Sequence, residues 1–169
     1  MEGLVIHREQ PADQDAIGAV LAAAFAGHPH SHGAEPSIVA ALREQAALAL
    51  SLVAVGGGHV LGCLAFSPVV IADGSTGWYG LGPLAVQPAC QGRGIATALV
   101  TEGLRQIRGE GAAGCIVLGE PAYYGRFGFR AGTGLSLPGV PASYFMALPF
   151  GASIPTGEVR YHPAFLAQA

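Results

Sequence analysis

Apolar positions along the chain alternate between two spacings, near 3.6 in some segments and near 2 in others, and the switches outline a mixed α/β domain. Leu4-Val5-Ile6 is a short strand-like run. From Pro11 to Phe25, the positions Ile17, Val20, Leu21 and Phe25 share one helical face and a proline stands in the first turn, which predicts a helix. A second helix is predicted from Glu35 to about Leu48. Ser51 to Val55 and His59 to Ile71 read as strands joined by Gly56-Gly57-Gly58, and Asp73-Gly74-Ser75 turns the chain into a third strand, Thr76 to Val86. These three make an antiparallel meander.

The period then changes again. Ile95, Leu99, Gly103, Leu104 and Ile107 recur at helical spacing, Gly109 to Gly114 breaks the pattern, and Cys115 to Leu118 is a strand. Strand, loop, helix and strand form a crossover, so Cys115 to Leu118 must run parallel to the strand ending at Val86, with the loop at the carboxyl end of the pair. Phe127 to Arg130, Tyr144 to Leu148 and Glu158 to Tyr161 are short candidate strands expected to finish the sheet. No internal repeat or linker interrupts the chain, and 169 residues suit a single domain spanning 1–169.

The loop in that crossover, Gln91-Gly92-Arg93-Gly94-Ile95-Ala96, carries the chemistry. Two glycines leave backbone N–H groups uncovered where a helix begins, and those amides with the positive end of the helix dipole attract a phosphate-bearing ligand. All 8 cationic side chains are arginine and there is no lysine. A Walker P-loop needs a lysine after its last glycine, and Schiff-base or pyridoxal-phosphate chemistry needs one as well, so both are excluded. A dinucleotide fingerprint fails too. Counting from Gly92, its sixth position is Thr97, and the formal match Gly80 to Ala85 runs on within a strand instead of opening a helix.

Gln91, Gly94 and Ala96, after a strand ending Leu84-Ala85-Val86, resemble the acetyl-CoA signature of the GNAT N-acetyltransferase superfamily. Ala122-Tyr123-Tyr124-Gly125-Arg126-Phe127-Gly128-Phe129 resembles that family's later element, a short tyrosine-bearing helix followed by a Gly-Phe that opens a strand. Glu35 to Arg43, Leu118-Gly119-Glu120-Pro121 and Gly157-Glu158-Val159-Arg160-Tyr161 extend the likeness to a bacterial subfamily of N-acetyltransferases over nearly the whole chain. The resemblance implies the GNAT acyltransferase fold, a mixed, mostly antiparallel sheet with a splayed parallel strand pair, flanked by helices.

It further implies that Leu84, Ala85 and Val86 pair with the pantetheine arm of acetyl-CoA as an added strand, and that Gly82-Pro83 marks the bulge where the parallel pair parts. The diphosphate would lie on the N–H groups of Gly92 to Ala96, with Gln91 in the same signature and Arg93 and Thr97 as further donors. Tyr124 matches the family's acid for the departing thiolate, while Tyr123 is expected to turn away and pack. The alternative for Tyr124 is a core tyrosine whose hydroxyl is tied to backbone. No carboxylate or histidine stands between Gly77 and Val86, so Glu120 is the nearest candidate base, against its alternative as a helix cap. The implied reaction is direct acetyl transfer to a primary amine of a small molecule or peptide, with a homodimer left open; a non-catalytic acyl-CoA-binding or regulatory domain is the competing reading.

Composition narrows the partners. A net charge of -3, with dispersed arginines and no basic run, argues against a nucleic-acid partner. The N-terminus lacks a signal-peptide pattern and Ala46 to Val55 is too short to span a bilayer, so a cytoplasmic protein without a membrane partner is expected. Cys63, Cys90 and Cys115 lack metal-ligand spacing and an even count; Cys63 and Cys115 read as core, and Cys90 has no activating neighbour for catalysis. His28, His30 and His32 alternate in a loop between the first two helices, but without acidic or cysteine ligands they suit an acceptor-site loop better than zinc, and no metal is expected. Trp78, Phe145 and Met146 are either pocket walls or core.

Overall fold

A computed structural model describes residues 3–151 and 153–166. Strand β1 (Val5–Arg8) leads through a short 3-10 turn into helix α1 (Gln14–Phe25), and α2 (Glu35–Glu44) follows. The chain then forms β2 (Leu50–Gly56), β3 (His59–Pro68), β4 (Val70–Ile71) and β5 (Trp78–Val86). After α3 (Ile95–Gly109) come β6 (Gly114–Leu118), α4 (Pro121–Tyr124), β7 (Leu135–Ser136), β8 (Phe145–Pro149), β9 (Gly157–Arg160) and α5 (Pro163–Leu166). The main sheet has the order β1-β2-β3-β5-β6-β8, and the β5–β6 pair is its parallel neighbour pair. The meander and the crossover are as the periodicity predicts.

Strand alternation divides the core between the two faces of this sheet. Leu52, Leu64 and Val86 face α3 with Ile95, Leu99 and Val100, while their neighbours Val53, Cys63 and Ala85 face α1 with Ile17, Val20 and Leu21. The second face continues past Trp78 and Ile116 on to a small sheet ordered β4-β9-β7, with Val159 and Leu135 in the shared cluster. A partly buried ion pair fixes α2 beside β1: Arg43 donates to Glu9 from Nε at 2.7 Å and from an Nη at 2.9 Å, and the Ser51 hydroxyl adds a bond at 2.7 Å. Burial opposes the charge on Glu9, but the bonds from Arg43 and Ser51 outweigh it and hold its carboxyl below the ordinary range.

Several predicted boundaries move, each for a local reason. Helix α2 stops at Glu44 instead of running to Leu48 because Ala46 takes a left-handed φ of 56°, and the N–H groups of Ala46 and Ala47 close on the carbonyls of Arg43 and Leu42. An alanine at that cap gives no stop signal in the sequence. The apolar run His59 to Ile71 is two strands, since the chain leaves the main sheet after Pro68 and β4 pairs with β9. Phe127 to Arg130 is not a strand: Gly125–Phe127 is a 3-10 turn, and Arg130 makes an isolated bridge to Ala147. Glu158 to Tyr161 does not finish the main sheet either; β9 is the centre of the small sheet, joined to β7, which was not predicted.

The feature that positions the site is where β5 and β6 part. Their pairing covers Trp78↔Gly114, Tyr79↔Cys115 and Gly80↔Ile116, and β5 continues to Val86 bonded to β3 alone. Between Leu81 and Leu84 β5 advances three residues while β3 advances two, from Phe66 to Leu64, so β5 bulges at Gly82 and Pro83 as the sequence suggests. The peptide between them is cis. From Leu81 onward the edge of β5 toward β6 is unpaired, which opens a gap linking the α3 face of the sheet to the α1 face.

Candidate active site

On the α3 face, the loop after β5 builds a concave cradle from backbone. Gln91 folds back so that its side-chain amide donates to the carbonyl of Val86 at 3.3 Å. Gly92 and Gly94 both take left-handed conformations, φ 77° and 83°, which favour glycine, and a Cβ at either would meet nothing within 4 Å. Gly94 is the N-cap of α3 without a side-chain cap bond, and the first backbone bond into the helix runs from the Ala98 N–H to the Gly94 carbonyl at 3.0 Å. The N–H groups of Gly94, Ile95, Ala96 and Thr97 therefore face out of the helix end without helical partners.

These amides border a cavity of about 320 Å³ lined by Val86, Gln91, Gly92, Gly94, Ile95, Ala96 and Thr97 together with Cys90, Tyr123 and Arg126. Leu84 and Ala85 lead into it along the unpaired edge of β5. Arg93, expected as a side-chain donor, is exposed and outside this lining, because the turn through the two glycines carries it away. Arg126 takes its place, stacked over the Tyr123 ring at 4.5 Å. Tyr123 does not merely pack: its hydroxyl is 3.0 Å from the Thr97 hydroxyl, tying α4 to the first turn of α3. Both residues fell within the quoted tyrosine segment, but which side chain turned toward the cradle depended on the start of a four-residue helix.

Tyr124 points elsewhere. Its ring meets Tyr123 edge-on at 5.0 Å and Phe129 at 6.0 Å, packed against the α3-side core. A Cβ on Gly119 would lie 2.5 Å from Tyr124 Cε2, so the glycine just after β6 is what lets the ring lie across it. Its hydroxyl makes no hydrogen bond among the described residues, unlike a core tyrosine tied to backbone. Burial, with smaller contributions from Tyr123 and Cys115, pushes its pKa up to about 12. Glu120 caps α4, where its carboxylate accepts from the Ala122 N–H at 3.4 Å, and it lines neither this cavity nor the larger one.

On the opposite face, a second cavity of about 640 Å³ is assembled from segments far apart in sequence. Leu81, Gly82 and Pro83 of β5 and Leu118 of β6 border it at the gap; Phe25, His28, His30, Ser31, Glu35 and Ile38 come from α1, α2 and the loop between them; Val159, Tyr161 and Phe165 come from β9, the residue after it and α5. His28 and His30 are thus brought to this wall, with the His30 N–H donating to His28 Nδ1 at 3.3 Å, while His32 is exposed and outside it. Among the described residues no group of three or more His, Cys, Asp or Glu is arranged to hold a metal. Trp78, Phe145 and Met146 are core, not walls, at 3%, 4% and 2% exposure. Leu137, Phe165 and Tyr161 supply the apolar surface instead. Cys63 and Cys115 are buried as expected, burial pushing the Cys63 thiol up to about 12 and Cys115 further, whereas Cys90 borders the cradle.

A backbone cradle before a helix, an unpaired strand edge leading from it and a gap to a second cavity agree with what sequence comparison finds. Residues 17–129 match the Acetyltransferase (GNAT) family. The chain belongs to that family. It is 36% identical over 169 residues to the uncharacterized N-acetyltransferase YhbS of Escherichia coli strain K12, an alignment covering 96% of this chain and 98% of the relative. A crystal structure of a GNAT family acetyltransferase from Brucella melitensis in complex with acetyl-CoA is 48% identical, with a TM-score of 0.87 over 98% of this chain and 99% of that one. The crystal structure of Escherichia coli YhbS with CoA is 37% identical, with a TM-score of 0.85 over 96% and 92% of the two chains. No helix among the described residues is long and apolar enough to cross a membrane.

Proposed function

We propose that this chain is an N-acetyltransferase that moves the acetyl group of acetyl-CoA directly to a primary amine of a small molecule or peptide. The observation that carries the reading is a pair of cavities on opposite faces of the sheet, near where β5 and β6 part, one bordered by free amides and the other by side chains. The amides of Gly92 to Thr97 fit a diphosphate, with Tyr123, Thr97 and Arg126 at its side. The unpaired edge of Leu84, Ala85 and Val86 fits an amide-bearing arm laid alongside as an extra strand. Relatives seen with acetyl-CoA and CoA support this placement.

Transfer forms a C–N bond to the amine and breaks the C–S bond of the thioester. Tyr124, whose hydroxyl is free and stays protonated at neutral pH, donates its proton to the departing thiolate. A strand N–H beside Val86, on the unpaired edge of β5, stabilises the oxyanion. Glu120 serves α4 as its cap, so the amine proton leaves through solvent on the acceptor side. The test is thiol release from acetyl-CoA across polyamines, amino acids, aminoglycosides, arylalkylamines and short peptides, with the acetylated product identified by mass. Release matched one-for-one by an acetylated amine is the expected result. Silence over every class, from folded protein that binds CoA, would support a regulatory CoA-binding domain instead.

A further inference from the structure

The acceptor cavity has a chemical bias. Apolar side chains, Phe25, Ile38, Pro83, Leu137, Val159 and Phe165 among them, make most of its wall. It contains two carboxylates, Glu35, which accepts from the Ser31 hydroxyl at 2.6 Å, and exposed Glu158, and the cationic Arg160 borders the same cavity. A polyamine or aminoglycoside needs several carboxylates to replace the water around its charges, whereas an apolar body gains by leaving water for this wall.

One polar group stands beside the gap. Tyr161 follows β9, and its ring lies against Gly80, the last residue of β5 still paired with β6; a Cβ there would come within 2.7 Å of Tyr161 Cε1. Phe165 closes on the ring at 5.2 Å. Buried tyrosine hydroxyls normally find a partner, yet the Tyr161 hydroxyl makes no hydrogen bond among the described residues. Ser67 carries the one fully buried side-chain oxygen left unpaired among those residues, so the Tyr161 hydroxyl opens to accessible space, and the cavity it lines is that space. Ser67 is directly opposite Gly80 on β3 and therefore on the same face of the sheet. Burial raises the Tyr161 pKa well above the phenol range, with smaller contributions from Cys115 of β6 and Tyr124.

We propose that the acceptor is a primary amine carried on an apolar aryl or alkyl body, and that the Tyr161 hydroxyl accepts a hydrogen bond from its nitrogen beside the gap. The inference rests on the N-acetyltransferase reading and names the substrate class of that site. Tyr124 then meets the sulfur from the α3 face and Tyr161 meets the nitrogen from the other, so each tyrosine handles one end of the exchange. A hydrogen bond from the amine N–H to Tyr161 leaves the nitrogen lone pair free to turn toward the thioester carbon.

The experiment measures binding, so it does not depend on turnover. Phenethylamine, ethylbenzene and spermidine are titrated into CoA-saturated protein by ligand-observed NMR, with wild type, Tyr161→Phe and Leu118→Gln compared. Wild type should bind phenethylamine more tightly than spermidine. Tyr161→Phe should weaken phenethylamine roughly tenfold while leaving ethylbenzene and CoA unchanged, as loss of a single hydrogen bond to the nitrogen requires. Leu118→Gln, at an exposed position on the cavity rim, should weaken phenethylamine and ethylbenzene alike. Preference for spermidine overturns the substrate class; equal weakening of phenethylamine and ethylbenzene by Tyr161→Phe, or no weakening, overturns the role of the hydroxyl. The expected binding pattern without any thiol release upholds this assignment and overturns the catalytic reading instead.

Discussion

The two cavities are built in opposite ways. The cradle on the α3 face is largely main chain from one short stretch, Val86 to Thr97, whose shape follows from two left-handed glycines and a helix start. The larger cavity on the other face is largely side chain, drawn from α1, α2, β5, β6, β9 and α5. Amides and a helix end recognise phosphate whatever side chains surround them, so the first region fits a cofactor shared by a whole family. Side chains from scattered segments can change one at a time, so the second region can differ between relatives and set the acceptor. The two cavities lie on opposite faces of the sheet near where β5 and β6 part, with Tyr124 packed on the α3 side and Tyr161 on the other.

The largest effect expected from this contrast is at Gly94. Gly94→Glu puts a side chain and a negative charge where the phosphate would lie, and forces a non-glycine residue into φ 83°. Calorimetry should find CoA affinity lost by about 100-fold or more while circular dichroism reports a folded chain. Unchanged affinity in a folded variant would mean that the phosphate is not held by these amides.

Tyr124→Phe comes next and separates chemistry from binding. CoA affinity should be unchanged and turnover should fall by about 10². Full turnover in that variant would remove Tyr124 from the proton path. Tyr123→Phe tests the other side of the same helix with a smaller result: its hydroxyl is bonded to Thr97 in the cradle, so CoA should bind several-fold more weakly, by about 1 kcal/mol, with little change in turnover at saturation. If instead the two phenylalanine variants behave alike, the tyrosines do not divide cofactor binding and acid chemistry as described.

A further effect, outside binding and turnover, is on stability at high pH. Tyr124 holds its proton to about pH 12 in the folded protein against about 10 in an unfolded chain. Between those values the folded state binds more protons than the unfolded state, so its stabilising contribution is complete below pH 10 and is lost as pH rises toward 12. Urea midpoints followed from pH 9 to 11.5 should fall more steeply for wild type than for Tyr124→Phe. Coincident slopes would show that the hydroxyl is solvated like an ordinary phenol.

How much could be read in advance follows the same division. Gln91 to Thr97 was legible because glycine spacing, a preceding strand and a following helix are all local, and Gly82-Pro83 announced the bulge for the same reason. Arg93 lies outside the cavity lining, since residue type shows a donor but not the direction in which a left-handed turn sends it. Glu120 was equally ambiguous until its carboxylate was seen on the Ala122 N–H. The small sheet was hidden because β4 and β7 have two residues each and pair with β9, far along the chain, so no periodicity could reveal it. Tyr161 lay within a segment noted for its resemblance, yet its place beside Gly80 depends on that long-range pairing. Trp78, Phe145 and Met146 could be read as walls or as core, and only the packing of distant segments decides for the core.

Amide NMR tests the division of labour most directly. On adding CoA to the labelled protein, the amides of Gly92, Gly94, Ile95, Ala96 and Thr97 should shift strongly, while those of residues 28 to 35 move little. A saturating arylalkylamine added afterwards should reverse the pattern. Shifts concentrated in residues 28 to 35 on adding CoA, with residues 92 to 97 unmoved, would contradict the account.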